Sequence, residues 1–150
     1  MSFTVKQATI ENLNEISNLF DEYRIFYKQK SDLNSAKLFL FDRLEHMESI
    51  IFVAIETNSN NIVGFTQLYP SFSSVSMKRS LILNDLYVRE NFRNQGVAKL
   101  LLNAAKSYAI QIKAKGIGLS TAIDNDAAQR LYEKNEYKKN QDFYQYYLNI

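Results

Sequence analysis

The hexapeptide Arg93-Asn94-Gln95-Gly96-Val97-Ala98 sits between two different hydrophobic periodicities. Before it, Leu81 to Val88 has the character of a buried strand. After it, Val97, Leu101, Ala104, Ala105, Tyr108 and Ile112 recur at helical spacing. A strand, a short polar turn with glycine and a long helix make an anion cradle, because the turn amides and the positive helix end converge. Gly96 removes a side chain that would hinder close approach. The chemistry served is the holding of a phosphorylated cofactor. Asp85, on the strand entering the turn, is the nearest carboxylate in sequence. Upstream, Tyr23-Arg24-x-x-Tyr27 sets two aromatics and a guanidinium on adjacent parts of one helix. Gln67 and Tyr69 fall on one face of a strand, two residues apart.

Other chemistries lack their residues. There is no Gly-x-x-x-x-Gly-Lys-Ser/Thr loop, no Gly-x-Gly-x-x-Gly and no Gly-x-Ser-x-Gly. With one histidine, His46, and no cysteine, no metal site is expected. A net charge of +2 offers no electrostatic case for nucleic acid or membrane, and no basic stripe interleaves with the aromatics. The N-terminus has no apolar signal core and no run approaches membrane-spanning length, so a soluble cytoplasmic protein is expected.

These residues must be positioned by a single domain, residues 1–150, with only four glycines and one proline to interrupt it. Phe3, Val5 and Gln7 suggest an opening strand. Leu13, Ile16, Leu19, Phe20, Tyr23 and Tyr27 form a helical stripe started by Thr9 or Asn12. A polar turn over 28–34 precedes a second helix over 35–47 that packs Leu38, Phe41 and Leu44. Strands are expected over 50–55 and 62–69, the second stopped by Pro70, with 71–79 a polar connection. A further strand over 116–123 puts Ile117, Leu119, Thr121 and Ile123 on one face. A helix starts near 124–126, and Tyr137 and 143–148 supply closing strands. The pattern is α+β (mixed α/β): a central mixed, mostly antiparallel sheet flanked by helices.

Two motifs carry a family resemblance. Arg93-x-x-Gly96-x-Ala98 is similar to the Gln/Arg-x-x-Gly-x-Gly/Ala that follows the fourth strand in the GNAT superfamily of acetyl-CoA-dependent N-acetyltransferases. Asn125-x-x-Ala128-x-x-Leu131-Tyr132-Glu133-Lys134 resembles that family's second motif, at matching separation. The resemblance implies the GNAT fold across essentially the whole chain, with acetyl-CoA as co-substrate and a homodimer possible by analogy through the aromatic terminal strand. Two departures are Asn135-Glu136-Tyr137, where a hydrophobic-Gly-aromatic turn is usual, and Asn84, where Glu often precedes the Asp.

By that resemblance, Arg93, Asn94, Gln95, Gly96, Val97, Ala98 and Lys99 belong to the coenzyme A site, with the amides from Gln95 to Lys99 around the pyrophosphate. Leu86, Tyr87 and Val88 pair with the pantetheine arm, and Asn125 and Ala128 lie on the cofactor side, Asn125 being a helix cap as well. Tyr132 is the expected general acid: a phenol of pKa ~10 beside a thiolate whose thiol has pKa ~8.5 can pass it a proton. The acceptor is a primary amine, of which only roughly one molecule in 2,500 is neutral at pH 7 for a lysine-like pKa. Asp85, directly or through water, is the candidate base; the alternative is a structural aspartate. Tyr23, Arg24, Tyr27, Gln67 and Tyr69 are the expected acceptor-binding residues, and an arginine among aromatics suits a carboxylate-bearing small metabolite such as an amino acid. Asp21 and Glu22 leave a polyamine open. Other readings are a protein or peptide N-acetyltransferase with a groove at 71–79, and a non-catalytic acyl-CoA sensor.

Overall fold

Thr9 starts the first helical segment by a reciprocal exchange: its N–H donates to Asn12 Oδ1 at 3.0 Å, and its hydroxyl accepts from the Glu11 N–H at 3.3 Å. The computed structural model describes residues 1–150. In chain order the elements are β1 (Phe3–Gln7), α1 (Leu13–Phe26), α2 (Leu33–Glu45), β2 (Ile50–Glu56), β3 (Asn61–Ser73), β4 (Lys78–Val88), α3 (Val97–Gln111), β5 (Ile117–Gly118) and α4 (Asp126–Lys134). The sheet runs β1-β2-β3-β4-β5, antiparallel except for the parallel β4–β5 pair, which α3 connects. This is the mixed, mostly antiparallel sheet the sequence predicts.

Cα packing divides the chain into two compact units, Met1–Leu119 and Ser120–Ile150. In the first, Ile16, Leu19 and Phe20 of α1 and Ala36 and Leu40 of α2 cover Ile51, Val53 and Phe65 on one sheet face. Val97 and Leu101 of α3 cover Ala54, Val63 and Val88 on the other. Asp21, buried at the base of α1, accepts from the Ser31 hydroxyl at 2.6 Å and the Asp32 N–H at 2.8 Å, fixing the α1–α2 connection.

Several expectations are corrected here. Helix α2 begins at Leu33 under an Asp32 cap, and its core stripe is Ala36, Leu40 and Leu44. Leu38 is 65% exposed and Phe41 is exposed as well, because neither falls on the face that carries Ala36, Leu40 and Leu44. Pro70 does not stop β3. It lies beyond Leu68, the last residue that β2 pairs with, so β3 has only β4 beside it there and a missing N–H is tolerated. The 71–79 connection is the end of a hairpin, with Ser73 opposite Lys78.

Strand β5 is two residues long, not eight. In the second unit, residues 138–150 form neither helix nor strand, and Phe143 to Leu148 are exposed. Alternation there supplied the side-chain pattern of a strand, but a strand exists only where a neighbour provides the ladder. The element expected to carry a dimer contact is therefore absent. Helix α4 is capped by Asn125, whose Oδ1 accepts from the Ala128 N–H at 3.1 Å. After α4, the Tyr137 N–H returns to the Tyr132 carbonyl at 3.0 Å, and Glu136 takes φ 73°, a left-handed conformation at the position where the family's turn has glycine.

The corrected phase of α2 has a direct test in urea unfolding. Leu40→Ala is expected to cost about 2–5 kcal/mol and Leu38→Ala less than about 0.5 kcal/mol. Comparable losses would refute the assignment.

Candidate functional site

The β3–β4 ladder contains one irregularity, and the polar site is built on it. Gln67 faces Asp85, but the next pair is Leu68 with Leu83, leaving Asn84 as an extra residue on β4. The bulge puts Asp85 on the sheet face of Gln67, opposite to that of Leu83. Its Oδ2 accepts from Gln67 Nε2 at 2.7 Å and its Oδ1 from Asn84 Nδ2 at 3.2 Å. The Thr66 hydroxyl holds the Asp85 carbonyl at 2.8 Å. Asp85 is 5% exposed, and neither ion pair of the structure, Arg43–Glu48 or Arg89–Glu22, involves it. The Gln67 amide turns its nitrogen toward Asp85, which leaves Oε1 buried without a partner. Burial, and then the Asp85 charge, push the Tyr69 phenol up to about 12 against the opposing pull of Arg43.

An aromatic wall adjoins these groups. The Tyr23 ring lies 5.6 Å from Phe65, 5.9 Å from Tyr87 and 5.0 Å from Tyr27, all edge to face. Arg24 sits on the same helix, but its Nη1 donates to the Lys30 carbonyl at 3.1 Å, tying down the chain after α1. Glu22 pairs with Arg89 at 2.8 Å. The carboxylates that kept a polyamine open, Asp21 and Glu22, are thus both engaged in holding the fold.

The turn after β4 has the backbone of a cradle. Asn94 takes φ 61° and Gly96 φ 82°, both left-handed. Gly96 is the N-cap of α3, and no side chain caps that helix. Its first-turn amides therefore have no side-chain acceptor, which fits an anion there. A Cβ on Gly96 would meet no protein atom within 4 Å, so the backbone angle, together with open space, is what calls for glycine. Beyond Ile82, no strand pairs with the outer edge of β4, because β5 pairs only with Leu81 and Ile82. Leu86, Tyr87 and Val88 lie along this free edge; Tyr87 packs toward α1, whereas Leu86 and Val88 pack toward α3.

Sequence reasoning overlooked Gly64. A Cβ there would come 2.9 Å from the Tyr87 carbonyl oxygen and 3.3 Å from Val88 Cγ2. Its absence lets β3 approach β4 where the free edge lies. A lone glycine inside an apolar strand was the available signal.

In the second unit, Asn125 and Ala128 form the cap of α4, and the Tyr132 ring lies 5.7 Å from Tyr137. The model of the acetyltransferase (GNAT) family matches residues 13–137, a span that covers part of each unit. The uncharacterized N-acetyltransferase YhfO of Bacillus subtilis (strain 168) is 48% identical over 146 residues, 97% of each chain.

The chain belongs to the GNAT acetyltransferase family.

A crystal structure of a probable acetyltransferase superposes with a TM-score of 0.94 at 44% identity, covering 98% of this chain and 97% of the other. AAC(6')-Iy, solved with the bisubstrate analog CoA-S-monomethyl-acetylneamine, shares the fold at TM-score 0.80 and 16% identity over the whole of both chains. This GNAT protein is an acetyl-CoA-dependent N-acetyltransferase. No group of three or more histidine, cysteine, aspartate or glutamate side chains is arranged to hold a metal ion, and no helix is long and apolar enough to cross a membrane.

The raised Tyr69 phenol gives this GNAT site a pH signature. The phenol stays neutral in the folded chain up to about 12, whereas an unfolded tyrosine ionises near ~10. Its contribution to stability is therefore complete below about pH 10 and lost as pH rises toward about 12. Ultraviolet titration of tyrosinate should contain a late component that disappears in Tyr69→Phe; an unchanged curve would contradict the assignment.

Proposed function

We propose that the chain acetylates the primary amine of a small molecule, such as an amino acid, by direct attack on acetyl-CoA. The observation that carries this reading is Asp85: a buried carboxylate oriented by Gln67 and Asn84, with no cationic partner. It adjoins an aromatic wall on one side, and β4 ends at Val88, ahead of the turn into α3. An amine entering as an ammonium supplies the missing positive charge, and Asp85, directly or through one water, receives its proton.

The neutral nitrogen then attacks the thioester carbonyl and the C–S bond breaks; the thiolate takes a proton from Tyr132, and the proton shed by the acylated nitrogen returns through water to restore the phenol. The α3 amides from Gln95 to Lys99 hold the pyrophosphate, and the free edge at Leu86, Tyr87 and Val88 carries the pantetheine. Bound acetyl-CoA supplies the activated acetyl group; the chain supplies proximity, orientation and the two proton carriers. Tyr23, Tyr27, Gln67 and Tyr69 face the acceptor. Arg24 keeps donors beyond the one given to Lys30 with which to meet a carboxylate.

A protein or peptide acceptor is the second reading. It is favoured by the β3–β4 hairpin, on which Phe72, Val75 and Met77 are exposed.

Thiol release from acetyl-CoA across amino acids, their decarboxylated amines, polyamines, aminoglycosides and peptides separates these readings. Amino acids should outperform their decarboxylated amines, and Arg24→Ala should abolish that difference. Equal rates for both would remove the carboxylate reading, and turnover confined to peptides would replace it. Tyr132→Phe should lower kcat by about 10²–10⁴-fold with CoA binding retained, as for loss of a general acid; wild-type turnover would dismiss that role. Asp85→Asn should lower kcat with CoA binding retained. An unchanged kcat would show that the base lies elsewhere.

A further inference from the structure

By sequence, Arg93 opens the cofactor motif and belongs to the expected coenzyme A site. Its side chain is committed elsewhere. Nε donates to the Val88 carbonyl at 2.8 Å, the last carbonyl of β4. The guanidinium carbon lies 5.0 Å from the centre of the Phe26 ring and 5.5 Å from that of Tyr87. These two rings are 6.0 Å apart. Phe26 is the last residue of α1, and its ring lies 5.3 Å from Tyr27, which continues to Tyr23. One arginine therefore joins the turn that leads into α3, the free edge of β4 and the end of the acceptor-side helix.

We infer that Arg93 is a positioning residue, not a phosphate ligand: it clamps the cofactor turn to α1 through Phe26 and Tyr87. Affinity for coenzyme A then depends on an aromatic ring of the acceptor-side helix. The inference rests on the reading that this turn holds coenzyme A and that the α1 rings line the acceptor side.

The chemistry favours arginine at this point. A planar guanidinium can donate from Nε in its own plane while presenting its face to aromatic rings. The Val88 carbonyl comes where β4 leaves the sheet, and the Nε bond gives it a partner. Asn94 and Gly96, both left-handed, follow directly, so the clamp sets the direction in which the strained turn starts. Lysine would keep the charge but lose both the in-plane donor and the stacking face. A phosphate ligand and a clamp therefore respond differently to the same substitution.

The test is calorimetric titration of CoA into the full chain as wild type, Arg93→Lys, Phe26→Leu, Phe26→Trp and the Arg93→Lys/Phe26→Leu double variant, at two salt concentrations. Urea unfolding of the same ligand-free proteins accompanies it. Arg93→Lys is expected to raise the CoA Kd by about tenfold and Phe26→Leu by about threefold, with the double variant no weaker than Arg93→Lys alone. Phe26→Trp should bind as wild type does, since indole is the better cation–π partner. The salt dependence of CoA binding should be the same in all five proteins, because no phosphate contact is lost. Wild-type affinity in Arg93→Lys, a shallower salt slope in that variant, or additive effects of the two substitutions would each overturn the inference. Should wild type bind no CoA, the cofactor reading fails and takes the inference with it; the unfolding cycle then still reports whether Arg93 and Phe26 couple in the free protein. Coupling in unfolding without any change in CoA affinity would leave a structural contact only and would also overturn the inference.

Discussion

The pairing of β3 with β4, and its one-residue bulge at Asn84, is the constraint on which the rest of the structure depends. A strict alternation through this ladder would leave Asp85 on the same sheet face as Leu83 and Leu81. The extra residue resets the phase, so that Asp85 meets Gln67 and Tyr87 reaches the rings of α1. Gly64 lets the two strands close up at the far end of the same ladder, where β4 delivers the chain into the α3 turn. The polar pair, the aromatic wall and the start of the turn are consequences of one register.

Charge partnering sorts the acidic residues. Asp21 is consumed by the α1–α2 connection and Glu22 by Arg89, so both contribute to holding elements together. The Asp85 carboxylate receives hydrogen bonds only from neutral amides. A buried carboxylate in that condition is costly to keep unless a cation arrives to meet it. Proximity in sequence distinguished none of these three; their partners did. A similar sorting applies to the arginines, since Arg24, Arg89 and Arg93 each give a donor to a backbone carbonyl.

Much of the fold was legible because the signals were local. The apolar stripe of α1, the Asn125 cap of α4 and the strand-turn-helix around Gly96 each declare themselves within a dozen residues. The misreadings have a common cause. Helix α2 offers apolar residues on several faces, and only packing against Phe65 and Ile51 selects Ala36 and Leu40. Pro70 breaks a strand in isolation, yet is harmless where β2 has already ended. The aromatic alternation at 143–148 says nothing about whether a neighbouring strand exists. Gln67 and Tyr69 were correctly placed on one face, but the unsatisfied Gln67 oxygen and the raised Tyr69 phenol follow from burial, which no spacing reveals.

The sequence by itself determined the family, the strand–turn–helix around Gly96 and the periodicities of the main helices, because each is written in residues close together along the chain. Backbone angles, caps and amphipathic stripes are short-range properties, and glycine, asparagine and apolar spacing encode them directly. Only the tertiary structure decided that Asp85 is uncompensated by a cation while Asp21 and Glu22 are engaged, and that Arg93 bonds to Val88 and stacks on Phe26. Those outcomes depend on residues far apart in the chain: Glu22 lies 67 positions from Arg89, and Gln67 lies 18 from Asp85. Which charge meets which partner is set by the register of β3 on β4 and by the seating of α1 on the sheet, and that is a property of the folded chain.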